Sequence, residues 1–194
     1  MPDWATLSAL EIERLARTIG PGEWAVDRQR PVATLLGSCV AVCMYDASIP
    51  VGGMNHFMLP TMKRKGEEVD NVLSGDYAME VLLNGLLVQG AARHRIRAKA
   101  FGGGAVISGI ASAGIGRRNV EFAREWLDRE GIELVNSDFV GPWARKVLFV
   151  PATGDAWCKR IPSTLMSSQE IAREEAAYAE SLSRRPPSSN VELF

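Results

Sequence analysis

Short apolar runs broken by turn-forming residues dominate residues 24–59. The runs cover 24–26, 32–36, 40–45 and 51–59, and the breaks are 27–31, Gly37-Ser38, 46–50 and Pro60. Runs of this length, bounded by Gly, Pro and Asp, predict buried strands. The same reading predicts strands over 96–101, 132–139, 144–150 and 155–160. Apolar residues fall at helical spacing in two stretches. Ala78, Val81, Leu82, Leu86 and Leu87 predict a helix over 76–88 closed by Gly90, and Val120, Ala123 and Leu127 predict one over 119–130 closed by Gly131. Residues 3–19 read as a helix capped by Thr6 or Ser8, with Leu7, Leu10, Leu15 and Ile19 as its apolar stripe. Residues 61–75, with Lys63-Arg64-Lys65 and Glu67-Glu68, read as a solvated loop. Residues 102–116, rich in Gly, Ala and Ser, read as a second loop, packed closely or walling a cleft.

The C-terminal part has a different texture. Residues 167–183 favour a helix whose apolar seam is only Ile171, Tyr178 and Leu182, and a linker at 184–189 leads to a short apolar end. This part is expected to be a helix with a flexible tail, outside the catalytic fold.

Composition adds exclusions. The chain has 194 residues, 46% hydrophobic and 23% charged, with a formal net charge of −1. That is ordinary globular composition, with no overall field to attract nucleic acid. No apolar run approaches the roughly 18 residues of a membrane span, so no membrane insertion is expected. The N-terminus lacks a basic region followed by an apolar one, and no signal peptide is read from it. Unpaired thiols fit the cytoplasm.

The chemistry narrows quickly. The two histidines, His56 and His94, and the three cysteines, Cys39, Cys43 and Cys158, allow six thiol–imidazole pairings. Cys43 lies inside an apolar run, Cys158 beside Trp157 in a late hairpin, and His94 in a basic stretch. These three read as structural or surface residues. Cys39, also beside an apolar run, reads either as a core thiol or as a nucleophile: it follows Gly37-Ser38, where a sharp turn can expose a side chain and aim backbone N–H groups at an oxyanion. His56 follows on the next strand-like run, within reach across a ladder. An imidazole beside the thiol favours thiolate and can protonate a leaving amine. Thr34 is the candidate third member, its hydroxyl accepting from a ring N–H. A metal site through Cys39, Cys43 and His56 is disfavoured. Two strand residues four apart are separated by about 13 Å, and a structural zinc site wants four ligands.

Residues 36–43 followed by 56–60 resemble the chemoreceptor glutamine deamidases (CheD). Residues 99–104, 115–120, and Thr153-Gly154 with Lys159 extend the resemblance over roughly residues 20–161. It implies a single layered α/β domain with a mixed β core and flanking helices. The chain then divides into an N-terminal helical extension (1–19), the deamidase domain (20–161) and a C-terminal helix and tail (162–194). The implied activity is hydrolysis of glutamine side-chain amides on chemoreceptor cytoplasmic helices, releasing ammonia, with no cofactor and no metal. Cys39 matches the family nucleophile and His56 its base. Gly37, Ser38, Asn55, Phe101, Gly102 and Gly103 are expected near the oxyanion and substrate. The family's orienting Thr stands six residues before the Cys, which is Ala33 here. Thr34 is one residue later, and one step along a strand turns a side chain to the other face. Residues 138–143 also depart from the family's Gly-Gly turn. A CheC-like phosphatase is a possible partner. The competing readings are a binding module for such a phosphatase or a receptor, and a different acyl-transfer enzyme such as a Cys peptidase.

Overall fold

A computed structural model describes residues 4–59, 68–106, 110–162, 164 and 166–184. Among the described residues nine strands form two mixed sheets, and helices pack against both. The strands are β1 (Arg17–Thr18), β2 (Trp24–Asp27), β3 (Val32–Leu36), β4 (Val40–Asp46), β5 (Gly52–Phe57), β6 (Ile96–Gly102), β7 (Glu133–Phe139), β8 (Trp143–Val150) and β9 (Asp155–Pro162). The helices are α1 (Ala9–Leu15), α2 (Glu68–Val88), α3 (Ile110–Arg129) and α4 (Met166–Arg184). One sheet runs β1-β3-β8-β9 and the other β2-β5-β4-β6-β7. Pairing is antiparallel except for β1 with β3 and β6 with β7.

The sequence of β4 explains why the layers stack as they do. Residues 40–44 are apolar at every position because both faces of this strand are covered. Val40, Val42 and Met44 face α2 and α3, packing with Met79, Leu82, Leu86, Trp126 and Leu127. Cys39, Ala41 and Cys43 face the other sheet, packing with Val32, Leu36, Val147 and Phe149. The thiol therefore starts out on the inter-sheet side of the core.

The structure departs from the sequence reading at three places. α3 begins at Ile110, so the second half of the 102–116 segment is helix rather than loop. Its glycines lower helix propensity, but Gly116 is needed for contact: a Cβ there would lie 2.5 Å from the Gly103 carbonyl oxygen. α2 begins at Glu68, eight residues before the expected start at 76. At the N-terminus α1 is only seven residues long, and Arg17–Thr18 leaves it to pair with β3. Its buried anchor is Ile12, whereas Leu10 and Leu15, expected on the apolar stripe, are 59% and 48% exposed. Ser8 is the cap, in a reciprocal capping box with Glu11. The charge cluster at 63–67 and the tail beyond Arg184 lie outside the described residues. No helix of the described residues is long and apolar enough to cross a membrane.

Candidate active site

Cys39 ends the turn between β3 and β4, and His56 lies on β5 opposite Ala41. Positions 39 and 41 share a strand face, so the register brings imidazole and thiol to the same side of the sheet. Both are fully enclosed in this conformation. Phe101 on β6 pairs with Ala41 from the other flank and lies in the same apolar cluster as Cys39.

β3 contributes the third group. Val32 and Leu36 point into the inter-sheet layer, and Thr34 falls between them on that face. Ala33 turns the opposite way, into the cluster of Ile12, Leu148 and Val150. β3 is regular from Val32 to Leu36 against β8, so no bulge is needed to present Thr34. Its Oγ1 donates to the Ile19 carbonyl at 2.8 Å and lies 2.8 Å from His56 Nδ1. With its own proton committed, Thr34 can only accept, which assigns the Nδ1–H tautomer to His56. The other ring nitrogen, Nε2, is buried and has no hydrogen-bond partner among the described residues. Backbone bonds hold the ring's residue on both sides: His56 N–H donates to Glu23 O at 2.9 Å, and Gly22 N–H donates to His56 O at 2.8 Å.

The turn before Cys39 is braced from behind. Gly103 N–H donates to Cys39 O at 2.8 Å and Gly104 N–H donates to Gly37 O at 2.7 Å. A Cβ on Gly102 would lie 2.1 Å from Cys39 O, and Gly102 has φ +126°. Only glycine fits there. Asn119 of α3 completes the brace. Its Nδ2 donates to Ser38 O at 2.9 Å, and its Oδ1 accepts from Leu59 N–H at 2.9 Å. Asn119 stands out in the sequence as the start of the predicted helix over 119–130 and as part of the 115–120 segment, and no local signal marks it as a support of the turn.

The largest departure from the sequence reading is Glu175 of α4. The C-terminal helix, expected outside the catalytic fold, inserts this carboxylate into the turn. Oε1 accepts from Gly37 N–H at 2.7 Å and Cys39 N–H at 3.0 Å. Oε2 accepts from Ser38 N–H at 2.6 Å and Ser38 Oγ–H at 2.8 Å. Three successive backbone N–H groups thus converge on one anion, an arrangement suited to binding negative oxygen. Gly37 makes room, because a Cβ there would stand 2.7 Å from Glu175 Oε2. Sequence periodicity could not find Glu175, since an acidic residue in a polar helix ordinarily faces water.

Electrostatics follow from the enclosure. Burial pushes the Cys39 thiol well above its usual range, and the Glu175 carboxylate beside it pushes the same way. Burial lowers the His56 pKa to about 4, against the opposing pull of Glu175 and Glu23. This conformation therefore holds a neutral thiol and a neutral imidazole. Cys39, His56 and Glu175 bring donor atoms within 4.8 Å of one another. The four hydrogen bonds already occupy the lone pairs of the Glu175 carboxylate, so this donor set fits a cation poorly.

The remaining expected residues sort cleanly. Gly37, Ser38, Gly102 and Gly103 are at the turn or its brace. Asn55 is not in the site. It neighbours His56 on β5 and so faces the opposite side, where Oδ1 accepts from Val42 N–H at 3.0 Å and Nδ2 donates to Ala78 O of α2 at 2.8 Å. Cys43 is buried deeper along β4, with its thiol shifted upward by burial. Cys158 is half-buried near Asp138, and its thiol is raised to about 11, chiefly by burial. His94 is exposed.

Residues 58–160 match the family model described as CheD chemotactic sensory transduction. A probable chemoreceptor glutamine deamidase CheD 2 of Dechloromonas aromatica is 57% identical over 99% of this chain and 100% of its own length. A second, of Burkholderia thailandensis, is 46% identical over 95% of each chain. Among solved structures, the Bacillus licheniformis hypothetical protein YfiH aligns with a TM-score of 0.39 at 16% identity, over 61% of this chain and 50% of that one. With sequence matches of this extent, the chain belongs to the CheD family of chemoreceptor glutamine deamidases.

Proposed function

We propose that this protein hydrolyses the side-chain amide of glutamines on the cytoplasmic helices of chemoreceptors, giving glutamate and ammonia. One observation carries the reading. The backbone N–H groups of residues 37–39 converge on a side-chain carboxyl group beside Cys39, with an acceptor nitrogen of His56 free. That is what a nucleophile, an oxyanion site and a base require of the fold.

The chemistry then runs in two halves. His56 Nε2 takes the Cys39 proton, and Sγ attacks the amide carbon. The carbonyl oxygen gains negative charge and is held by the N–H groups of residues 37–39. The C–N bond breaks as His56 returns its proton to nitrogen, and ammonia leaves a thioester on Cys39. Water, deprotonated by His56, attacks the thioester carbon. Collapse of the second oxyanion releases the carboxylate and restores the thiol. Thr34 acts throughout by holding Nδ1–H, so that Nε2 stays aimed at the reacting atoms.

The substrate glutamines, the cytoplasm as compartment and a CheC-like phosphatase as regulatory partner belong to the same reading. The relatives' names support the chemoreceptor glutamines as substrate, the sequence resemblance supports the phosphatase partner, and the unpaired thiols support the compartment. Incubation with a chemoreceptor cytoplasmic fragment tests it: ammonia should appear while the fragment's backbone stays whole. Cleavage of the fragment would favour a peptidase. Binding without ammonia release would favour a docking module.

A further inference from the structure

The Glu175 carboxylate has the chemical form of the deamidation product, a glutamate side chain presented from a helix. It sits where the proposed oxyanion donors converge, and it is 3% exposed. We infer that α4 is a product mimic tethered in cis, filling the glutamine side-chain subsite made by the N–H groups of Gly37, Ser38 and Cys39, so that a substrate helix must displace it. This inference rests on the deamidase reading and adds to it both the location of the subsite and a built-in competitor.

Four features support it. First, the carboxylate is bound by three backbone N–H groups and one hydroxyl of the turn before β4, and among the described residues by no cationic side chain. A carboxylate serving only to anchor a helix would gain more from an Arg or Lys partner. Second, the turn is shaped for the visitor, since Gly37 leaves the space that Oε2 enters. Third, Glu175 is the buried charged side chain of α4 among the described residues, while the helix otherwise rests on small or apolar contacts: Ile171, Ala172 and Leu182, with Tyr178 and Ala179 partly buried. Such an apolar face is one that another amphipathic helix offering the same group can supply. Fourth, the bound carboxylate lies beside a fully buried Cys39 and adds to burial in disfavouring its thiolate.

The geometry makes a direct demand. If residue 175 occupies the substrate position, Glu175→Gln places an amide carbon before Cys39. The protein should then convert that amide to acid by the same steps: C–S bond formation, loss of ammonia, and hydrolysis of the thioester by water.

The test uses the full chain and two readouts. In the first, iodoacetamide labelling of Cys39 is followed by peptide mass spectrometry. Glu175→Ala should label at least about tenfold faster than wild type, equivalent to some 1.4 kcal/mol of lost coverage, and should deamidate receptor fragment faster. Cys43, buried in the core, reports folding by staying unlabelled. If Glu175→Ala labels both thiols, Glu175→Met, which keeps the side-chain length but offers no carboxyl oxygen to the turn, replaces it in this comparison. Equal Cys39 labelling in wild type and the folded variant overturns the inference, whatever the protein's activity. In the second readout, the amide introduced by Glu175→Gln should become acid over time, and should persist when Cys39→Ala is added. Persistence in a Cys39-intact variant that still deamidates receptor fragment overturns the placement of residue 175 as a product mimic. If no form deamidates the receptor fragment, the deamidase reading fails, and the labelling comparison alone decides whether α4 covers the thiol.

Discussion

Thr34 Oγ1 stands 2.8 Å from His56 Nδ1 and gives its own proton to the Ile19 carbonyl. This fixes both the ring's orientation and its tautomer, because a hydroxyl with its proton committed can only accept. Thr34→Ala should slow deamidation by roughly tenfold to a hundredfold, corresponding to the ~1–3 kcal/mol of leaving a buried donor unmatched. Thr34→Ser, which keeps the hydroxyl, should restore most of the rate. Steady-state rates on a receptor fragment check this, and a wild-type rate for Thr34→Ala would remove the residue from the mechanism.

His56 also makes stability pH-dependent. Its pKa falls from the ordinary 6.5 to about 4 on folding because burial penalises the charged ring. The unfolded chain therefore binds more protons between these values, and stability rises with pH across that window. The contribution is fully present above pH 6.5 and is lost as pH falls toward 4. Between pH 7 and pH 5 the loss is about 2 kcal/mol. Urea unfolding at the two pH values should show this loss in wild type and not in His56→Gln, with other groups common to both proteins cancelling. An identical pH response in the two proteins would mean that the ring is charged or exposed in the folded state.

The brace behind Cys39 predicts a contrast between two glycines. Gly102→Ala puts a Cβ 2.1 Å from Cys39 O at φ +126°, whereas Gly114, exposed on α3, has nothing within 4 Å of an added Cβ. Gly102→Ala should destabilise the fold by about 3 kcal/mol or more. Gly114→Ala should be neutral or stabilising by up to about 1 kcal/mol through helix propensity. Thermal unfolding of the two variants measures the difference.

Asn119 should matter to both fold and turn. Asn119→Asp keeps the acceptor for Leu59 N–H but replaces the donor to Ser38 O with a buried negative oxygen. A loss of about 2–4 kcal/mol is expected in chemical denaturation, with receptor deamidation reduced in the protein that remains folded.

Most of the sheet architecture was legible in the sequence because buried strands leave short, bounded apolar runs. The 32–36 run matches β3 end to end, and the 40–45 run ends one residue short of β4. The pairing of Cys39 with His56 was legible for the same reason: adjacent strands with a shared face bring them together. Where the reading missed, a tertiary contact overrides a local signal, as three features show. The early turns of α3 contain glycines that local propensity assigns to a loop, yet Gly116 is there to touch Gly103. Asn55 looked like a site residue because it adjoins His56, but strand alternation sends it to α2. Glu175 lies 136 positions from Cys39 in a polar helix, and only the fold reveals that its carboxylate binds the turn before β4.

The assignment of Cys39 among three thiols is the centre of the account, and mass spectrometry of glutamine residues in a receptor cytoplasmic fragment tests it most directly. Wild type, Cys43→Ala and Cys158→Ser should each convert particular amides to acids, and Cys39→Ala should convert none. Conversion by Cys39→Ala at the wild-type rate would contradict the account.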